Sequence, residues 1–161
     1  MRYVISVGAN LGDAEAVVRE SMHDVAARLD GELIAASSLF LTSPVANVEQ
    51  PDFINAVVIV DSPLEPIEAL GVLRRMEDEA DRVRDVHWGP RTLDLDIVTV
   101  DGFVSDAPLL TLPHPRAHER AFVLIPWLEI DPEAWLPAHG RVADIVDAGF
   151  TGQDIQRLEP R

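Results

Sequence analysis

The chain has 161 residues, 47% of them hydrophobic, and its 28 acidic residues against 13 basic ones leave a formal net charge of −15. That length suits a single domain over 1–161 with a sizeable core, and the charge argues against nucleic acid and anionic membranes as partners, since both need clustered positive charge. Cysteine and lysine are absent, which excludes disulfides, thiolate metal sites, cysteine nucleophiles, a Walker-A phosphate lysine and a lysine Schiff base.

In chain order, MRYVISVGANLGD holds an apolar run too short for a signal peptide or a membrane span, so a soluble cytoplasmic protein is expected. RYVISVG (2–8) reads as a buried strand. Asp13 is placed to cap a helix whose apolar Val18, Met22, Val25 and Leu29 fall at i, i+4, i+7 and i+11, and Gly31 is expected to end it. ELIAASSLFL (32–41) reads as one second strand and FINAVVIVDS (53–62) as a third, with the polar loop TSPVANVEQPD between them. A second helix is expected from near Pro63 to about Arg84, with Leu70, Leu73 and Ala80 on one side. Glu77 falls in the same arc, where an acid is ordinarily a boundary residue that snorkels outward; the alternative is a polar contact at a site.

After the loop 85–92 comes a strand, and Asp101-Gly102 signals a hairpin into FVSDAPLLTL. AFVLIPWLEI (121–130) reads as a short helix interrupted at Pro126, and the polar tail 148–161 as loosely packed. The order β-α-β-β-α-β followed by further elements predicts an α+β, ferredoxin-like fold. In it an antiparallel sheet carries helices on one face, with a C-terminal hairpin and helices added.

The chemistry concentrates in HWGPRTLDLDIV (87–98). Leu93, Leu95 and Ile97 alternate with Asp94 and Asp96, so both carboxylates project from one face of a strand, roughly 7 Å apart. They repel each other, and a cation is expected to compensate: Arg91 or a bound metal. Paired hard oxygens suit Mg²⁺, which completes its shell with water and substrate phosphates. Seven of the 13 arginines lie between 74 and 120, and Arg82, Arg84 and Arg91 flank Trp88. Guanidinium groups bind phosphate bidentately, and Trp88 could cover a flat ligand or fold back onto the core. In LPHPRAHERAFVL (112–124), His114 and His118 have the i, i+4 spacing of a zinc pair, but HExxH is missing and Pro115 disfavours helix at His114, so phosphate or nucleotide contacts are the better reading.

WGPRTLDLDIV closely resembles the signature segment of the 6-hydroxymethyl-7,8-dihydropterin pyrophosphokinase family. SVGANLGD, TSPV, QPDFINAV, RVR at 82–84 and LPHPRAHERAFVL resemble it in the same order, over about residues 3–147. The resemblance implies transfer of pyrophosphate from Mg²⁺-ATP to the pterin hydroxymethyl group, leaving AMP, in folate biosynthesis. It implies two Mg²⁺ ions on Asp94 and Asp96, with Arg82 and Arg91 as catalytic residues. Glu77, Arg84, Trp88, Arg91, Ile97, His114 and Arg120 match ATP contacts; Thr42, Val45, Phe53, Asn55, Trp88 and Phe122 match the pterin pocket. The loop 83–91 is expected to close over the substrates. The partners implied are ATP and a reduced pterin, met by a monomer that uses neither nucleic acid nor membrane. A ligand-binding module without chemistry would explain the fold but not two aspartates facing arginines, and an RNA-recognition module needs a basic sheet.

Overall fold

The computed structural model describes residues 1–43, 51–82, 93–101 and 103–159, with the backbone alone at Arg82. Its main sheet is antiparallel and built from β1 (Arg2–Ala9), β2 (Glu32–Ala36), β3 (Phe40–Thr42), β4 (Phe53–Asp61), β5 (Asp94–Val100) and the C-terminal β10 (Ile155–Arg157). The order is β10-β3-β4-β1-β5, with β2 also paired to β4, so β5 is an edge strand. Two short ribbons, β6 (Ser105–Ala107) with β7 (Leu110–Leu112) and β8 (Trp135–Leu136) with β9 (Gly140–Arg141), lie outside it.

Alternation along the strands divides the core in two. Tyr3, Ile5 and Val7 of β1, Ala56, Val58 and Val60 of β4, and Leu95 and Ile97 of β5 pack against α1 (Ala14–Arg28) and α2 (Pro66–Arg82). Val4, Val57, Ile59 and Val98 point the other way and pack against α3 (Ala121–Ile130) and α4 (Val142–Ala148) through Val123, Leu124, Trp127 and Val142. Helices therefore cover both faces, not the one face expected, because β4 and β1 are apolar on both sides.

Local chemistry accounts for the element boundaries. Asp13 caps α1 by accepting from the Ala16 N–H at 3.2 Å, and Val18, Met22, Val25 and Leu29 are buried. The chain leaves α1 through Asp30, whose φ of 52° is left-handed, whereas Gly31 is demanded by contact: a Cβ there would stand 2.1 Å from the Asp61 carbonyl. α2 begins at Pro66, three residues later than expected, with proline at its first position.

The stretch 32–41 is two strands, not one. Ser37 donates its N–H to the Val57 carbonyl and accepts the Val57 N–H on Oγ, both at 2.9 Å, so a side chain replaces one rung of the ladder and bends the chain. Asp101-Gly102 leads only to an isolated bridge between Val100 and Phe103, with Gly102 outside the described residues; the ribbon forms further on, between β6 and β7. α3 runs through Pro126 without a break, because Val123, Leu124 and Trp127 around it are fully buried, and that burial outweighs one lost helix bond. The tail is not loose either: β10 pairs with β3 in the register Ile155 to Thr42, and the Leu158 N–H bonds to the Leu39 carbonyl at 2.8 Å. Among the described residues no helix is long and apolar enough to cross a membrane.

Candidate active site

On the sheet face that carries α3, three strands change character in step. The inward side chains run Val4, Ser6, Gly8 along β1, Ile59, Val57, Asn55 along β4, and Val98, Asp96, Asp94 along β5. Register aligns them: Ser6 lies opposite Asp96, and Gly8 lies between Asn55 and Asp94. The polar ends floor a cleft of about 290 Å³, walled by Thr42, Ser43, Phe53, Arg120 and Phe122. Gly8 is required there, since a Cβ would stand 2.8 Å from Asn55 Oδ1. The Asn55 amide, buried at the β4 end, donates to Thr42 Oγ1 at 2.7 Å. Gln153 of the tail ties down the opposite wall: its Oε1 accepts the Ala121 N–H at 3.0 Å and its Nε2 donates to the Glu119 carbonyl at 2.8 Å, either side of Arg120.

The electrostatics belong to the aspartate pair. Burial, then the neighbouring Asp94 charge, raises the Asp96 pKa above the ordinary carboxylate range, against the pull of His114, Arg120 and Arg74. Arg120 Nη1 stands 4.0 Å from Asp96 Oδ2 and lies over the Phe122 ring, its guanidinium carbon 5.5 Å from the centroid. Burial lowers the His114 pKa in spite of Asp96, so the ring is neutral at pH 7. His114 Nδ1 accepts the Arg116 N–H at 3.2 Å, which assigns the ring proton to Nε2. Its own backbone N–H bonds to the Val98 carbonyl at 2.8 Å, holding this segment to the β5 edge.

Residues 4–132 match the family model described as 7,8-dihydro-6-hydroxymethylpterin-pyrophosphokinase (HPPK). The chain belongs to this family. A 2-amino-4-hydroxy-6-hydroxymethyldihydropteridine pyrophosphokinase of Mycobacterium tuberculosis is 46% identical over 149 residues, 86% of this chain and 77% of the relative. The protein of that name from Pseudomonas aeruginosa is 34% identical over 157 residues, 98% of this chain and 96% of the relative. Among solved structures, the Plasmodium falciparum HPPK-DHPS A437G protein with pteroate superposes with a TM-score of 0.67 at 14% identity, a likeness of fold. It covers 91% of this chain, which spans 42% of that longer one.

Within an HPPK the expected residues sort into three groups. Thr42, Phe53, Asn55, Phe122, Asp94, Asp96 and Arg120 line one cleft, and His114 adjoins it through Asp96. Glu77 and Ile97 sit elsewhere. Ile97 is 4% exposed with its side chain in the core under α1 and α2, which leaves only its main chain for a ligand, on the edge strand. Glu77 does not snorkel: it is 4% exposed, accepts the Leu95 N–H at 2.8 Å on Oε2 and receives Arg74 Nη1 at 2.7 Å on Oε1. Burial raises its pKa, opposed by the Leu95 and Arg74 bonds. Val45, Arg84, Trp88, Arg91 and the side chain of Arg82 lie outside the described residues, as does the loop expected to close.

The compensating positive charge sought near the pair is met, among the described residues, by Arg120 and Arg74. His118 does not converge on His114; its ring stacks on His139 with centroids 3.9 Å apart. Among the described residues no group of three or more His, Asp or Glu side chains could hold a metal. The two carboxylates alone suit Mg²⁺, which takes one or two and leaves the rest of its shell to water and phosphate. Sequence reasoning missed Ser6, Gly8 and Gln153, and noted Arg74 only as one of the seven arginines between 74 and 120. Counting by twos forward from Val4 would have found the first two.

Proposed function

We propose that the cleft over β1, β4 and β5 holds ATP and 6-hydroxymethyl-7,8-dihydropterin together, and that the protein moves the terminal diphosphate of ATP onto the pterin in folate biosynthesis. One juxtaposition carries the reading: Asn55, Gly8 and Asp94 stand side by side across three strands. An amide that reads a ring edge is thereby one strand pair away from a carboxylate that faces phosphate. The hydroxymethyl oxygen bonds to the β-phosphorus, the bond from that phosphorus to the α,β-bridging oxygen breaks, AMP leaves, and the hydroxyl proton is released.

Beyond its bond to Thr42, the Asn55 amide keeps donor and acceptor capacity for the pterin's polar edge. Phe53 and Phe122 supply apolar walls for the ring, a role shared in this reading with Val45 and Trp88. Gly8 leaves the floor flat beneath it. Asp94 and Asp96 hold two Mg²⁺ ions, which, when bound, neutralise and orient the ATP phosphates. Arg120, His114 and the Ile97 main chain are read as ATP contacts beside the pair, a role given to Arg84 on the resemblance of its segment alone. Arg82 and Arg91 are read as the groups that stabilise the transferred diphosphate, on the resemblance of their segment alone.

The order β5-β1-β4-β3 supports a ferredoxin-like core, with β10 added at one edge. The reading includes a cytoplasmic monomer of one domain (1–161) that uses neither nucleic acid nor membrane, as the net charge of −15 favours. Incubation with Mg²⁺, ATP and the reduced hydroxymethylpterin should release AMP in step with pterin diphosphate. AMP formation that does not depend on the pterin would overturn the assignment.

A further inference from the structure

Leu95 is the residue between the two aspartates, and its peptide groups face away from β1 at the open edge of the sheet. Its N–H is bound by Glu77 Oε2 at 2.8 Å and its carbonyl by Arg74 Nη1 at 3.3 Å. The same Arg74 nitrogen donates to Glu77 Oε1 at 2.7 Å. The three residues close a ring in which the carboxylate accepts and the guanidinium donates, as the backbone of a neighbouring strand would.

Asp94 and Asp96 are paired across to Gly8 and Ser6 on the other side. Consecutive residues 94, 95 and 96 are thus held from alternating sides at a place where an edge strand is otherwise free to bend. Bending is what a pair of like charges on one face would favour. Arg74 also bears electrostatically on both aspartates.

We propose that Glu77 and Arg74 are positioning residues, which clamp the Leu95 peptide from α2 and so fix the spacing and direction of the Asp94 and Asp96 carboxylates. This rests on the reading of the pair as the Mg²⁺ site. It also gives the buried acid on the apolar face of α2 a task that does not require contact with nucleotide. The clamp is asymmetric in exposure: the Glu77 side chain is 5% exposed and the Arg74 side chain 47%. Arg74 is therefore the safer residue to change.

The test compares Arg74→Ala, Arg74→Gln and Glu77→Gln with the parent. The first measurement is amide exchange of Leu95 by NMR without metal or nucleotide. The second is Mn²⁺ affinity in the presence of a non-hydrolysable ATP analogue. In Arg74→Ala the Leu95 amide should exchange at least tenfold faster while the amides of β1 and β4 keep their protection. Mn²⁺ affinity should fall about tenfold or more, the range typical when a group that orients a metal ligand is removed. kcat should fall with it, and the KM for pterin should hold.

Arg74→Gln, which keeps two N–H donors on a shorter side chain, should recover part of each loss. Glu77→Gln should speed Leu95 exchange and weaken Mn²⁺ like Arg74→Ala. If Arg74→Ala and Glu77→Gln raise only the KM for ATP and leave Leu95 exchange and Mn²⁺ affinity at parental values, the two residues are nucleotide ligands and the clamp is refuted. Exchange is read in the free protein, so that result stands whether or not the parent makes AMP.

Discussion

Replacing Asp96 with asparagine should stabilise the metal-free protein and abolish catalysis. The carboxylate is 24% exposed, and its pKa is raised first by burial and then by Asp94. A group whose folded pKa is raised supports folding only at low pH, and that support disappears as the pH climbs through the folded value. Above that value the ionised Asp96 therefore weakens the fold. Two unit charges at roughly the 7 Å spacing of alternate strand residues repel by about 1 kcal/mol once solvent screening at this part-exposed site is counted, and burying the charge, the larger cause of the raised pKa, adds to that cost. Asparagine removes that repulsion but also the attraction of Arg120 at 4.0 Å, which in a part-exposed pair is worth about 0–1 kcal/mol. The difference leaves the variant more stable by ~1 kcal/mol, a Tm higher by about 2–4 °C for a chain of this size.

The assay is thermal unfolding in EDTA at pH 7.5 and again at pH 4, beside AMP release in Mg²⁺. The gain should be present at pH 7.5 and smaller at pH 4, where the folded parent's carboxylate is the more fully protonated and the unfolded chain's, with its ordinary pKa of about 3.9, only about half so. AMP release should be undetectable, because an amide cannot offer the anionic oxygen that holds Mg²⁺ against water. A variant that melts several degrees below the parent at pH 7.5 would mean that the Arg120 pair outweighs the Asp94 repulsion. The carboxylate would then be structural.

Gly8→Ala should raise the KM for pterin about tenfold or more with a smaller change for ATP, since its Cβ would push Asn55 Oδ1 from its place at 2.8 Å; equal changes in both KM values in steady-state kinetics would refute this. Gln153→Ala should leave the Ala121 N–H without its acceptor and loosen Arg120 and Phe122, lowering kcat/KM several-fold at a stability loss of about 1 kcal/mol by denaturant unfolding. Truncation after Gln153 should expose the outer edge of β3, so the Thr42 and Leu39 regions should lose protection in hydrogen exchange while α1 and α2 keep theirs. Tyr3→Phe should destabilise by ~1 kcal/mol, because the phenol donates to the Leu64 carbonyl and its pKa is pushed up to about 12 by burial and then by Glu65 and Glu68; an unchanged denaturation midpoint would show that water replaces that bond.

What could be read in advance was local. Asp13 declares a helix start to the residues just after it, and the alternation of Leu93, Leu95 and Ile97 needs no distant partner to be seen. What was misread depends on residues far along the chain. Ser37 breaks the expected long strand only because Val57, 20 positions later, supplies the other half of the rung. The tail reads as polar and unanchored until β3 offers it an edge and the start of α3 and the turn before it each offer Gln153 a backbone group. Glu77 looks like a boundary acid on the helix wheel, and only the approach of β5 from 18 residues away makes it a buried acceptor.

The cleft was half legible for the same reason. Asp94 and Asp96 stand out because two acids on a strand are locally unfavourable. Ser6 and Gly8, in RYVISVGA, look like small interruptions of a buried strand, and Asn55 looks like one polar residue in FINAVVIVD. Each strand alone shows only a blemish. Register turns the three blemishes into one surface, since Ser6 meets Asp96 and Gly8 meets both Asp94 and Asn55. A sheet whose central strands are apolar on both sides would bury this face under helix along its whole length. Here the apolar run stops on all three strands at the same level, and α3 covers Val4, Val57, Ile59 and Val98 while its first residues wall the remainder. The candidate active site is therefore the part of a core face where the side chains that would have closed it were replaced by a hydroxyl, an amide, a glycine and two carboxylates.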